Sequence, residues 1–75
     1  MSIQLGKYKH YKGQFYEVIG VALHSETKEE LVVYKMLYET QDHTYGSLWV
    51  RPKEMFLEKI LVEDKEITRF MFINE

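Results

Sequence analysis

The chain has 75 residues, 45% of them hydrophobic and 15% aromatic, with a formal net charge of -2. That length predicts one domain spanning residues 1–75, and the composition excludes the low-hydrophobicity, high-charge signature of disorder. The slight acidic surplus speaks against generic nucleic-acid binding, the lack of cysteine excludes a disulfide framework or a Cys-type zinc site, and no apolar run approaches the roughly 20 residues of a membrane helix.

Gly6 to Tyr11 begins by alternating Lys and Tyr and reads as a short strand. Lys12-Gly13-Gln14 supplies a turn. Phe15 to Leu23 is apolar on both faces and rich in aromatic and β-branched residues, which predicts a central strand. Gly20 within it predicts a bulge or bend. His24 to Glu30 is polar and reads as a loop or a single turn capped by Ser25 or Thr27. Leu31 to Tyr38 is a second apolar strand, and Thr40 to Ser47 a polar hairpin loop. Leu48 to Arg51 is the next strand. Pro52 has no N–H to give a ladder and suits the start of a helical turn running through Phe56. Leu57 to Val62 and Ile67 to Ile73 complete the set as two strands around a tight turn at Glu63-Asp64-Lys65-Glu66.

Short strands at this spacing predict a mostly β fold: a small SH3-like barrel of five or six antiparallel strands, with one short helical turn near Pro52–Phe56. Alternation selects Val18, Ala22, Val32, Val50, Phe56, Ile60 and Phe70 as core residues. Charge is uneven along the chain. Residues 1–14 carry three lysines and no acid, whereas Glu63 to Glu75 carries four acids against Lys65 and Arg69. The cysteine-free composition and the lack of an apolar N-terminal run lead us to expect no signal peptide and a cytoplasmic location.

Several segments together carry a family resemblance. They are Gly6-Lys7-Tyr8-Lys9-His10-Tyr11-Lys12-Gly13, Tyr16-Glu17-Val18-Ile19-Gly20-Val21-Ala22, His24-Ser25-Glu26-Thr27, Val32-Val33-Tyr34, Leu48-Trp49-Val50-Arg51-Pro52, Glu54-Met55-Phe56 and Arg69-Phe70. In combination these resemble the small bacterial family catalogued as domain of unknown function 1653, over nearly the whole chain. The loop around Asp42-His43-Thr44-Tyr45 is longer than the family pattern. The resemblance implies a bacterial, free-standing domain and implies no activity.

Three groups of residues are candidates for function. His24-Ser25-Glu26-Thr27 places an imidazole beside a hydroxyl and a carboxylate. Adjacent strand residues point to opposite faces, however, so His24 and Ser25 form no nucleophilic relay, and turn capping accounts for the polar residues. Trp49 and Arg51 lie two apart on one strand and share a face. The guanidinium suits bidentate anion recognition, or pairs with Glu26 or Glu54 near one rim of the barrel. Tyr8, Tyr11, Tyr16, Tyr34 and Tyr38 could form an aromatic platform or simply fill a small core.

His10, His24 and His43 lack metal-ligand spacing, so no metal and no cofactor are expected. The reading is therefore a non-catalytic module that binds a protein segment, nucleic acid or small anionic ligand through the Trp49/Arg51 side. His24, Glu26, Tyr34, Trp49, Arg51 and Glu54 are its candidate binding residues. The alternative is a small enzyme using His24 with Glu26 or Glu54 as acid/base groups, and self-association through a strand edge is a third use of the surface.

Overall fold

Seven runs rich in β-branched and aromatic residues, separated by polar or glycine-containing turns, become seven strands in the computed structural model, which describes residues 3–74. In chain order they are β1 (Gly6–His10), β2 (Phe15–Leu23), β3 (Glu30–Met36), β4 (Leu48–Pro52), β5 (Lys59–Val62), β6 (Lys65–Thr68) and β7 (Phe70–Asn74), with the four-residue helix α1 (Lys53–Phe56) between β4 and β5. All pairings are antiparallel. Five strands form one sheet in the order β4-β3-β2-β1-β7, and β5 pairs with β6 as a separate hairpin. The five-stranded sheet is not closed: β4 and β7 are its edges.

The mostly β architecture and the helical turn match the sequence reading, and β2 is central as expected. The count of seven strands exceeds the five or six expected, because Ile67–Ile73 is not one strand. It breaks at Arg69, whose N–H donates to the Glu58 carbonyl (3.1 Å) while its own carbonyl accepts from Tyr11 N–H (2.9 Å). That crossing point sends β6 and β7 into different sheets. Leu57 and Glu58 belong to the exit from α1, and β5 starts at Lys59.

Antiparallel partners share a face, so the register assigns the inner surface. Tyr8 opposes Tyr16, Tyr16 opposes Met36, Val18 opposes Tyr34, Tyr34 opposes Trp49, and His10 opposes Phe70. The buried apolar residues are Tyr8, Val18, Val32, Tyr34, Met36, Phe56 and Phe70. Phe56 reaches this face from α1 and stacks on Phe70 at a centroid distance of 4.2 Å and an interplanar angle of 6°.

Four of the seven expected core residues are buried, and three are not. Ala22 is exposed because a bulge between Val18 and Gly20 inserts one residue and inverts the alternation beyond it, so that Ala22 opposes Leu31 instead of pointing inward. Val50 is 58% exposed because Trp49 and Arg51 take the inner face of β4 and leave Val50 outside. Ile60 is only half-buried because its hairpin stands apart from the sheet. At the hairpin tip, Glu63 (φ 52°) and Asp64 (φ 67°) both adopt the left-handed conformation that a tight two-residue connection demands. No helix among the described residues is long and apolar enough to cross a membrane.

Candidate functional site

Arg51 ends the inner face of β4, opposite Val32 and next to Tyr34. Its Nε donates a long hydrogen bond to the Tyr34 hydroxyl (3.5 Å), and its Cζ lies 5.6 Å from the centroid of the Phe70 ring. The guanidinium is partly buried. No carboxylate among the described residues comes within ion-pair distance of it. The three ion pairs among the described residues lie elsewhere, at Lys35–Glu17, Lys53–Glu30 and Arg69–Glu58. The expected pairing of Arg51 with Glu26 or Glu54 is therefore not formed, and a ring and a phenol take the place of an acid.

The rings around Arg51 meet edge to face, which holds each one against the next. Tyr16 lies 5.3 Å from Tyr34 and 5.7 Å from Phe70, and its hydroxyl shares a hydrogen bond with that of Tyr38. His10 packs edge-on against Phe70 at 4.9 Å and against Tyr16 at 6.3 Å. Its Nδ1 accepts the Lys12 backbone N–H (3.2 Å), which leaves Nε2 to carry the proton of the neutral ring.

The electrostatics follow from this packing. Burial pushes the Tyr16 hydroxyl well above its ordinary value, and the hydrogen bond to Tyr38 adds to the effect. Burial also pulls the His10 imidazolium below its ordinary value, reinforced by the positive charges of Arg51, Arg69 and Lys12. Three cations thus act on one imidazole. The Tyr34 hydroxyl accepts from Arg51 and keeps its own proton free to give. One hydroxyl of the Tyr16–Tyr38 pair is free in the same way. The cluster presents donors and no carboxylate, and an oxyanion complements such a surface.

Trp49 extends the surface along β4. Its Nε1 points at the Met36 sulfur (3.3 Å), and its ring meets His43 edge-on at 4.8 Å. Of the residues singled out from sequence, Tyr34, Trp49 and Arg51 therefore come together on one face.

His24, Glu26 and Glu54 do not join them through any contact. His24 Nδ1 accepts the backbone N–H groups of Glu26 (3.1 Å) and Thr27 (3.3 Å), so the imidazole itself caps the turn after β2. This replaces the expected caps from Ser25 or Thr27, although the Thr27 hydroxyl accepts the next free amide, that of Glu29 (3.1 Å). Glu26 is exposed in that turn, and Glu54 is exposed in the first turn of α1. No group of three His, Cys, Asp or Glu side chains among the described residues is placed to hold a metal ion.

Sequence reasoning missed His10 and Phe70 as members of the Arg51 cluster, and set Tyr16 and Tyr38 among a general tyrosine platform. Their signal is present but distributed: Tyr8 and His10 lie two apart on β1, and register alone brings them beside Tyr16 and Phe70.

A family model described as "Protein of unknown function (DUF1653)" matches residues 6–72. A crystal structure of a DUF1653 protein from Bordetella bronchiseptica superposes with a TM-score of 0.85 at 29% sequence identity, covering 96% of this chain and 88% of that one. No functionally curated protein matches the chain.

Proposed function

We propose that this chain, which belongs to the DUF1653 family of proteins of unknown function, is a non-catalytic binding module that captures an oxyanionic group at Arg51. We take it as a single bacterial, cytoplasmic domain whose curved sheet is an opened relative of the SH3-like barrel, and whose binding side is the Trp49/Arg51 face. The observation that carries the reading is the guanidinium of Arg51. It is partly buried, rests on Phe70 and Tyr34, and has no acid of the described residues in ion-pair distance. A charge held partly out of water without a counterion favours any ligand that brings one. His10, Tyr16, Tyr34 and Tyr38 add donors and rings around it. His24 Nδ1 accepts two backbone amides of its own turn, a capping role that accounts for the imidazole without catalysis.

The test is an NMR titration with inorganic phosphate and with acetate, against chloride at equal ionic strength. Saturable shifts at Arg51 Nε–H and at the Tyr34 ring are expected, and their loss in Arg51→Ala while the rest of the spectrum keeps its dispersion. Shifts that chloride reproduces, or that survive Arg51→Ala, would overturn the reading.

A further inference from the structure

We infer that the free edge of β4 accepts an extended acidic peptide, whose backbone pairs with Leu48 and Val50 while its carboxylate meets Arg51. This rests on the oxyanion reading above and names its ligand as a protein segment. The backbone pattern comes from the start of the strand. Met36 N–H donates to the Ser47 carbonyl (3.0 Å), and Gly46 N–H donates to the Met36 carbonyl (2.9 Å), so Met36 turns its peptide groups toward β4. Alternation gives Tyr34 and Val32 the same direction, which makes Tyr34–Trp49 and Val32–Arg51 the hydrogen-bonded pairs of this ladder. Leu48, Val50 and Pro52 consequently point their backbone groups away from β3, and no strand among the described residues pairs with β4 on that side. Pro52 occupies a position where its missing N–H costs no ladder bond.

The edge is therefore a row of unpaired amides and carbonyls flanked by Leu48 (62% exposed) and Val50 (58% exposed) on the outer face and by Trp49 and Arg51 on the inner face. An incoming strand would alternate in the same way, with acidic side chains alongside Arg51 and apolar ones alongside Leu48 and Val50. A second copy of β4 fits poorly. The segment Leu-Trp-Val-Arg-Pro carries no acid, so antiparallel self-pairing supplies no counterion for Arg51.

The probe is an acetylated, amidated heptapeptide alternating Glu and Val, with its Gln-for-Glu counterpart and inorganic phosphate as comparisons. At saturation the Glu peptide should slow exchange of the Leu48 and Val50 amides by about tenfold or more, as a new strand would. The Gln peptide should bind at least about tenfold more weakly, the worth of one charge-assisted hydrogen bond. Phosphate should shift Arg51 without protecting either amide. Val50→Pro removes one outward N–H and no ladder bond, so it should abolish protection at Leu48 and leave the phosphate response intact. If the Glu peptide shifts Arg51 without protecting Leu48 and Val50, the strand-addition inference fails and the oxyanion site stands. If neither peptide nor phosphate reaches Arg51, the site itself fails. Protection of these amides without peptide, growing with protein concentration, would replace the inference with self-pairing.

Discussion

Arg51 and Phe70 lie on opposite edges of the open sheet in topology, yet the Arg51 guanidinium sits 5.6 Å from the Phe70 ring centroid. Phe70 in turn stacks on Phe56 and meets Tyr34. The surface under the candidate ligand is thus the upper layer of the core, and its rings are held as firmly as the core itself.

Phe56 is the only helical residue in that stack and is 1% exposed. Phe56→Ala should destabilise the protein by about 3–5 kcal/mol, a large part of the stability of a small domain. Urea unfolding followed by Trp49 fluorescence measures this, and a loss under about 1 kcal/mol would remove Phe56 from the core.

Arg51→Ala should change stability by no more than about 1 kcal/mol, because no partner acid is left behind when the guanidinium goes. Arg69→Ala should cost more. Arg69 donates from Nη2 to Glu58 (3.0 Å) beside the crossing point between the two sheets, and its loss leaves that carboxylate unpaired. Paired urea melts of the two variants decide the order.

His10 titrates below its ordinary value in the native state, first through burial and then through Arg51, Arg69 and Lys12. The unfolded chain takes up the proton at about pH 6.5, the native protein only at lower pH. The His10 contribution to stability is therefore intact above that value and is lost as the pH falls from it through the depressed native pKa. Arg51→Ala should move the native His10 pKa upward without restoring it fully, since burial remains. Titration of the imidazole Cε1–H resonance measures both, and an unmoved pKa in the variant would separate His10 from Arg51.

Tyr16 shows the opposite sign. Its native pKa is raised, so its contribution is present below the unfolded value of about 10 and is lost as the pH rises above it. Absorbance titration should find Tyr16 ionising only with alkaline unfolding, and Tyr16→Phe should remove that late step.

His24→Ala should cost about 1 kcal/mol, the usual worth of a side chain that caps a turn, and should leave oxyanion binding unchanged. Loss of binding in this variant would bring the His24 turn into the site.

Much of the fold was legible because its signals are local. Pro52 marks the entry to α1, Gly20 flags the bulge, and the apolar run of β2 places that strand in the centre. Ala22 and Val50 were misplaced because simple alternation cannot register the residue inserted near Ile19, nor choose between Val50 and its neighbours Trp49 and Arg51. Within the candidate site, Arg51 and Trp49 are readable from their spacing. Their surroundings are not, because the pairing of β1 with β7, strands at opposite ends of the chain, is what sets His10 and Phe70 beside Tyr16 in that cluster.

The β5–β6 hairpin, paired only with itself and bearing Leu61 at 76% exposure, gives the molecule two tiers of cooperativity. A ribbon of four residues per strand has little strength of its own, so it should breathe open as a unit while the five-stranded sheet stays shut. Its Glu63-Asp64 tip is the natural splice point of the chain. A longer segment grafted there would hang from the ribbon and leave both the ring-paved floor and the β4 edge undisturbed.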